Sequence, residues 1–245
     1  MFKMRLDVYL CDQGYASSRT EAKHFIETGA VKVNGKIVTK PSFSIEAENF
    51  LIDVDKSSKK YVSRGGLKLE AALEEFCVSP MGAHAIDIGA SSGGFTDCLL
   101  QRGAEHVIAV DSGTLQLSNS LRQDSRVTSI ENYNARYLSI EDLEYVPDFA
   151  VMDVSFISAT YIMHPLYNCL GEKSDFICLI KPQFEVGKAN IGKGGIVKDE
   201  KARRNALKTV IEYAENVGFK FISSIVSPII GGDGNIEYLA HFKKT

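Results

Sequence analysis

The sequence lacks the hydrophobic segments that membrane insertion or secretion requires. It contains no run of about eighteen apolar residues, so no transmembrane helix is expected. Its first residues, Met1 to Asp7, lack the apolar core of a signal peptide. We therefore expect a cytoplasmic protein that makes no contact with a membrane.

The sequence also lacks the residue spacings of disulfide frameworks and metal sites. Its five cysteines are scattered without C-x-x-C spacing, which favours reduced thiols in a cytosol. The cysteines are Cys11, Cys77, Cys98, Cys169 and Cys178. The five histidines are likewise scattered along the sequence, so no metal site is expected. There is no internal repeat either.

The charge is unevenly distributed along the chain. Residues 1–68 carry a formal charge of +4 and the remainder carries −7, which together give the net charge of −3. A basic front and an acidic remainder favour contact between the front and a polyanion.

Residues 4–55 have the pattern of a small α+β unit. Apolar residues at helical spacing begin at Leu6, and Gly14 ends that helix. Ser17-Ser18 reads as the capped start of a second helix that runs to Glu27. Asn34-Gly35 predicts a hairpin between two short strands, and a further strand is expected at 50–54.

This unit resembles the S-four-type RNA-binding domain. The resemblance rests on Arg5-Leu6-Asp7, on Ser18-Arg19-Thr20-Glu21-Ala22 and on the hairpin that begins at Gly29. It implies an RNA-facing surface that carries Arg5, Arg19, Lys23, Lys32 and Lys36, with Arg64 added from the following segment. Cations on one face supply the salt-sensitive, phosphate-directed part of RNA affinity. The alternative is a solvated basic face without a partner.

Residues 84–111 predict the site of a nucleoside cofactor. The apolar strand 84–88 enters the glycine-rich turn 89–94, and a helix follows it. The next apolar run ends in Asp111, which is placed to accept hydrogen bonds from ribose hydroxyls. Ser91 departs from the dinucleotide pattern G-x-G-x-x-G, and Asp87 favours a cofactor with a cationic end, such as S-adenosylmethionine. The alternative is an ordinary strand-to-helix turn.

After this turn the chain alternates strands and helices, which predicts a Rossmann-like, doubly wound α/β sheet. Strands are expected at 84–88, 106–110, 127–130, 149–153, 175–180, 219–226 and 236–242. Helices are expected at 67–77, 95–102, 116–122, 158–169 and 199–216. The last two strands are expected to form an antiparallel pair at the edge of the sheet. The predicted domains are the S-four-type domain at 1–58, a linker at 59–66 and the cofactor-binding α/β domain at 67–245.

Polar residues end or interrupt three apolar strands. Asp153 ends one strand, Lys181 ends the next, and Glu237 is expected inside the last strand. Because open α/β sheets bind ligands at the carboxyl edge, these side chains would place a lysine between two carboxylates. Such a lysine can position a ribose hydroxyl and help to remove its proton. Lys68 lies off the apolar stripe of its helix and by default is a surface lysine.

Together these segments resemble the TlyA family, also called hemolysin A. Its members join an S-four-type domain to an FtsJ-like 2′-O-methyltransferase that acts on ribosomal RNA, and the resemblance implies a cytidine target. The resemblance implies a catalytic tetrad of Lys68, Asp153, Lys181 and Glu237. It also implies an S-adenosylmethionine site that is lined by Asp87, Gly89, Ser91, Gly93, Phe95, Thr96 and Asp111. In the family the adenine end lies after the third strand, where Glu131, Asn132 and Asn134 stand here, and of these Asn132 is the predicted contact.

One departure from the family concerns the linker, because an Arg-Ala-Trp element of some relatives is replaced here by Lys60-Tyr61-Val62-Ser63. A glycine- and lysine-rich loop, 183–197, is expected to be mobile and to close over the target nucleotide. Two other functions remain open: an RNA-binding protein with a vestigial methyltransferase fold, and a cytolytic hemolysin. Ribosomal RNA or ribosomal subunits are the expected partner, and the oligomeric state is not predicted.

Overall fold

A computed structural model of the chain describes residues 4–16, 19–27, 29–45, 50–55, 60–231 and 234–245. The chain divides into two units, Met1–Ser63 and Arg64–Thr245, and the division falls inside the segment 59–66. Within the described ranges, no helix combines the length and the hydropathy that crossing a bilayer requires.

The N-terminal unit packs two helices against short strands. Its elements are β1 Met4–Arg5, α1 Leu6–Asp12, α2 Arg19–Glu27, β2 Val31–Val33, β3 Lys36–Ile37, β4 Ser44–Ile45 and β5 Ile52–Val54. The predicted hairpin is confirmed, because Asn34 and Gly35 both have positive φ (51° and 77°), as a two-residue hairpin turn of this type needs. Fully buried Leu6, Leu10 and Phe25 contribute to its core. The predicted cap Ser17-Ser18 lies outside the described residues.

The C-terminal unit is the predicted doubly wound sheet. Its elements are α3 Gly65–Glu75, β6 His84–Ile88, α4 Gly94–Gln101, β7 His106–Val110, α5 Asn119–Arg122, β8 Val127–Ile130, β9 Phe149–Met152, α6 Thr160–Cys169, β10 Asp175–Ile180, α7 Pro182–Glu185, α8 Glu200–Val217, β11 Phe219–Val226 and β12 Tyr238–Lys244. The strand order is β11-β12-β10-β9-β6-β7-β8. Strands β8, β7, β6, β9 and β10 are parallel, and β12 is antiparallel to both of its neighbours.

This topology places a binding crevice at the carboxyl edge between β6 and β9. From β6 the chain proceeds outward to β7 and β8, and then returns to the other side of β6 to form β9 and β10. At such a reversal the following loops diverge and leave a crevice beyond the strand ends. The central strands are buried on both faces, which explains their continuous apolar sequences.

Two boundaries differ from the predictions in ways that affect the site. The last strand begins at Tyr238, two residues later than predicted, so Glu237 precedes the strand and is not inside it; its carbonyl oxygen accepts a hydrogen bond from Ser227 N at 2.9 Å. Helix α5 is one turn, shorter than the predicted 116–122, because Leu115 has a positive φ of 55° and Ser118 is extended. Part of the predicted loop 231–234, residues 232–233, lies outside the described residues.

Candidate active site

The glycine turn after β6 packs tightly against the turn after β9. Gly89 has a φ of 83°, and a Cβ atom there would lie 2.5 Å from the carbonyl oxygen of Asp153. The Asp153 N–H in turn donates to the carbonyl of Ile88 at 2.9 Å. Position 89 therefore requires glycine both for its left-handed backbone and for the close approach of the two turns.

The carboxylate of Asp111 connects the glycine turn after β6 to the turn after β7. It accepts hydrogen bonds from Ser91 N at 2.8 Å and from Gly113 N at 2.7 Å. The acid that was predicted to accept hydrogen bonds from a ribose is thus also held in a fixed orientation by backbone donors. Such preorganisation lowers the entropy cost of binding a ligand.

A cavity of about 530 Å³ opens at this carboxyl edge. Of the predicted cofactor residues, Gly89, Ser91 and Asp111 line it, together with the predicted catalytic Asp153. Asn134 also lines it, whereas exposed Asn132 is absent from its lining. The remaining predicted cofactor residues, Asp87, Gly93, Phe95 and Thr96, are buried and also absent from that lining.

Asp87 is fully buried and only partly satisfied by the protein. Its Oδ2 accepts a hydrogen bond from Thr96 Oγ1 at 2.7 Å, while its Oδ1 has no hydrogen-bond partner among the described residues. Burial raises the pKa of Asp87 to about 7, with smaller contributions from the Asp153 and Asp111 carboxylates and an opposing one from Thr96. Asp87 precedes the cavity-lining Ile88 and Gly89, so its charge favours a cationic ligand group although its side chain does not line the cavity.

Lys181 is held by two side chains from the turn after β9. Its Nζ lies 2.6 Å from Asp153 Oδ1 and donates a hydrogen bond to Ser155 Oγ at 2.7 Å. An ammonium has three N–H donors, of which one is used in the hydrogen bond to Ser155. Sequence reasoning missed Ser155, although the run Asp153-Val154-Ser155 already pointed to this turn.

Lys68 is buried, which corrects the default prediction of a surface lysine. Its Nζ lies 2.5 Å from Glu237 Oε2, and the two side chains are 11% and 3% exposed. A lone buried charge would be costly, but a paired one is tolerated. Its partner is 169 positions away in the sequence, which is why the pattern of α3 alone could not predict this pairing.

Three of these four residues lie next to strand ends at the same edge of the sheet, and Lys68 approaches them from α3. Asp153 and Lys181 immediately follow the parallel neighbours β9 and β10. Ile180 pairs with Tyr238 across the antiparallel ladder, so Lys181 and Glu237 lie just beyond the same pair. Lys68 then reaches Glu237 from α3. The sheet edge therefore brings together all four residues of the predicted tetrad.

Two further contacts join the turn after β9 to α7. Glu185 accepts hydrogen bonds from Ser158 Oγ at 2.5 Å and from Ala159 N at 2.9 Å, and its burial raises its pKa. The rings of Phe156 and Phe184 lie 5.4 Å apart, measured between centroids. Phe156 is 93% exposed with a positive φ of 64°, an uncommon and strained combination for a bulky residue.

The predicted RNA-binding residues are not all placed alike. Lys23 is exposed on α2, and Lys32 and Lys36 are exposed on the hairpin. Since Val33 pairs with Lys36, and Lys32 neighbours Val33 along β2, the pleat places the two hairpin lysines on opposite faces. The expectation of one face for all of them therefore does not hold for this pair.

The three arginines of the predicted RNA-binding set all contact acceptors within the protein. Arg5 and Arg19 both contact the carboxylate of Asp7. In the C-terminal unit, Arg64 donates from Nη2 to the carbonyl of Ile230 at 3.3 Å.

The sheet order, the glycine turn and the cavity at the carboxyl edge define a Rossmann-type methyltransferase. Residues 61–244 match the model of the FtsJ-like methyltransferase family, and residues 4–51 match the S4 domain. The chain belongs to the FtsJ-like methyltransferase family, in the group that includes TlyA and hemolysin A. It is an S-adenosylmethionine-dependent enzyme with an S4 RNA-binding domain.

Individual relatives match over nearly their whole length. Hemolysin A of Brachyspira hyodysenteriae is 45% identical and is covered to 99%, with 98% of this chain aligned. The 16S/23S rRNA (cytidine-2′-O)-methyltransferase TlyA of Mycobacterium tuberculosis is 40% identical over 96% of this chain and 88% of its own. A solved Streptococcus thermophilus structure described as a hemolysin has a TM-score of 0.79 and 45% identity, and covers 99% of this chain and 89% of its own.

Proposed function

We propose that the chain transfers a methyl group to the ribose 2′-hydroxyl of a cytidine in ribosomal RNA, acting in the cytoplasm. The observation that carries this proposal is Lys181, which Asp153 and Ser155 hold beside the cofactor cavity. The family, the S4 domain and the 40% identical TlyA relative support the choice of substrate.

The cavity fits S-adenosylmethionine. Its volume of about 530 Å³ lies within the usual range for small-molecule sites. Asp111 would bind the ribose hydroxyls, and the unpartnered Oδ1 of Asp87 would attract the cationic methionine end of the cofactor. Asn134 would line the adenine end in place of the predicted Asn132. The buried residues Gly93, Phe95 and Thr96 would support the glycine-rich turn 89–94 without contacting the cofactor.

The side chains at the edge would prepare the hydroxyl for attack. S-adenosylmethionine, when bound, would supply the methyl group from its sulfonium to the ribose oxygen. As an ammonium, Lys181 would donate an N–H to the 2′-oxygen and stabilise the negative charge that develops there as the hydroxyl proton passes to solvent. Asp153 and Ser155 orient the lysine, and the Lys68–Glu237 pair would position the acceptor nucleotide from the other side.

An aromatic surface beside these groups suits an unstacked base. Phe156 lines the cavity and presents its ring almost entirely to solvent, with Phe184 behind it. Bases taken out of a helix are commonly held by stacking on aromatic side chains. Phe156 would therefore hold the target base while Lys181 holds its ribose.

The N-terminal unit would hold the RNA while the C-terminal unit modifies it. Arg5, Arg19, Lys23, Lys32 and Lys36 would contact phosphates, joined by Arg64 at the start of α3. The predicted linker 59–66 would connect the predicted domains 1–58 and 67–245, except that its residues 65 and 66 belong to α3. The loop 183–197 would close over the target through Lys188 and Lys193.

The direct test is transfer of labelled methyl from S-adenosylmethionine to purified 30S and 50S subunits that lack the modification. We expect the label at a ribose 2′-oxygen of a cytidine, and its loss in Lys181→Ala. Cofactor binding without transfer to either subunit would contradict the proposal and favour an RNA-binding protein with a vestigial methyltransferase fold. Label at a base nitrogen or carbon would refute the assignment to the ribose.

A further inference from the structure

A buried carboxylate holds two arginines of the N-terminal unit side by side. Asp7 is fully buried, and its two oxygens accept hydrogen bonds from Arg5 Nε at 2.8 Å and Arg5 Nη2 at 2.9 Å. Arg19 Nη2 contacts the same carboxylate at 3.1 Å. The hydrogen bond from Arg5 is the largest cause that lowers the pKa of Asp7 to about 2, so the group is ionised throughout the neutral range.

The geometry leaves both guanidinium groups accessible. The side chains of Arg5 and Arg19 are 49% and 59% exposed although each contacts Asp7. Two guanidinium groups on one carboxylate leave a local charge of +1, and each is planar with donors in a fixed fork. Such forks bind a phosphate through paired N–H groups.

We propose that Asp7 is a positioning residue of the RNA-binding unit, which fixes the guanidinium groups of Arg5 and Arg19 before they bind an RNA phosphodiester. This inference rests on the proposed function, since it assigns an RNA-contacting role to the N-terminal unit. Fixing two long side chains in advance removes part of the rotamer entropy that phosphate binding otherwise costs.

The proposal makes a prediction opposite to that of simple charge counting. Asp7→Asn removes a negative charge from an RNA-binding unit, so electrostatics alone predicts tighter binding. If Asp7 positions the arginines, the same change weakens binding, because an uncharged amide does not hold two guanidinium groups. Asp12→Asn is the matched control: Asp12 ends the same helix, α1, is exposed, and loses the same charge.

The experiment measures binding of the full-length protein to purified, unmodified 30S and 50S subunits over a series of salt concentrations. For Asp7→Asn we expect affinity to fall about fivefold to tenfold and the salt dependence to lose about one phosphate contact. Asp12→Asn is expected to bind as well as the wild type, or up to about twofold tighter. Thermal unfolding of each variant confirms that the N-terminal unit is folded.

A second variant keeps the test decisive if Asp7→Asn does not fold. Arg5→Lys retains the charge but loses the fork that pairs with both Asp7 oxygens, so we expect a similar loss of affinity. Equal or tighter binding by Asp7→Asn, or unchanged binding by Arg5→Lys, would overturn the inference while leaving the proposed function intact. If Arg19→Ala also binds normally, the N-terminal unit does not grip RNA at this surface, and that part of the proposed function fails too.

Discussion

Two aspartates of this protein, Asp7 and Asp87, are both completely buried, yet their pKa values move in opposite directions. The pKa of Asp7 falls to about 2 because Arg5 and Arg19 contact its carboxylate. The pKa of Asp87 rises to about 7 because burial disfavours its charge and only Thr96 donates to it from a side chain. The residue type and the exposed fraction are the same, so the difference comes from the cations beside Asp7 and from the much stronger desolvation of Asp87.

The two aspartates differ in whether the protein or a ligand supplies the positive charge that balances the carboxylate. In the N-terminal unit the chain supplies its own cations to the buried acid, and these remain exposed for an anionic partner. In the C-terminal unit Asp87 keeps an unpartnered oxygen, as expected if S-adenosylmethionine supplies the positive charge. The predictions below test this contrast, from the largest expected effect to the smallest.

The largest effect is expected from Lys181→Ala compared with Lys32→Ala. Lys181 is part-buried at the reacting edge, so its loss should lower kcat by a factor of about 10² to 10⁴ with little effect on RNA affinity. Lys32 is exposed in the N-terminal unit, so its loss should raise KM for the subunits and leave kcat unchanged. Steady-state methyl transfer measures both constants. A fall in kcat for both variants, or in neither, would remove the functional division between the units.

Asp87→Asn should stabilise the ligand-free protein at alkaline pH. The folded-state pKa lies above the ordinary value, so the native state loses stability as the pH rises from about 4 to about 7, and the loss is complete above that range. The amide avoids this cost, which amounts to at most about 4 kcal/mol. Urea unfolding at pH 5 and pH 8 measures the difference, with the exposed Glu105→Gln as control. Equal stability of wild type and Asp87→Asn at pH 8 would contradict the raised pKa.

Cofactor affinity should increase with pH through the same range. If the cationic end of S-adenosylmethionine binds ionised Asp87, its affinity should rise about tenfold between pH 6 and pH 8, because the ionised fraction rises by that factor. Equilibrium titration at each pH measures it. In Asp87→Asn the affinity should be low and independent of pH; a pH dependence that persists in this variant would assign it to another group.

The smallest effect is expected from the loop 183–197. Lys193 is exposed, so its replacement by alanine should raise KM for the subunits about twofold, by the loss of one screened phosphate contact. The exposed Lys173→Ala, outside this loop, is the matched control. If Lys193→Ala matches the wild type in both RNA binding and turnover, the proposed closure of the loop over the target is wrong.

The strands and the turn chemistry could be predicted because their causes are local. The runs at 84–88 and 106–110 coincide with β6 and β7, since mainly apolar segments between polar turns identify buried parallel strands, and the run at 127–130 coincides with the edge strand β8. Asn34-Gly35 likewise fixed its hairpin through its own backbone preference. Asp153 and Lys181 were expected at the same edge because parallel strands end together.

Long-range pairing could not be predicted in the same way. Lys68 is buried only because Glu237 reaches it from the other end of the unit, and Ser155 is functional only because it contacts Lys181. Glu185 joins α7 to the start of α6, although its own segment reads as an exposed loop. These contacts depend on three-dimensional proximity, which hydrophobic periodicity does not encode.

The central contrast is between Asp7, which is paired with two arginines, and Asp87, to which a bound cofactor would supply the positive charge. It is tested most directly by proton release on cofactor binding. Calorimetric titration with S-adenosylmethionine at pH 7, in buffers of different ionisation enthalpy, gives the number of protons released. We expect about half a proton for the wild type, since Asp87 is then about half ionised, and none for Asp87→Asn. Binding without proton release by the wild type, or with equal release by Asp87→Asn, would contradict the role assigned to Asp87.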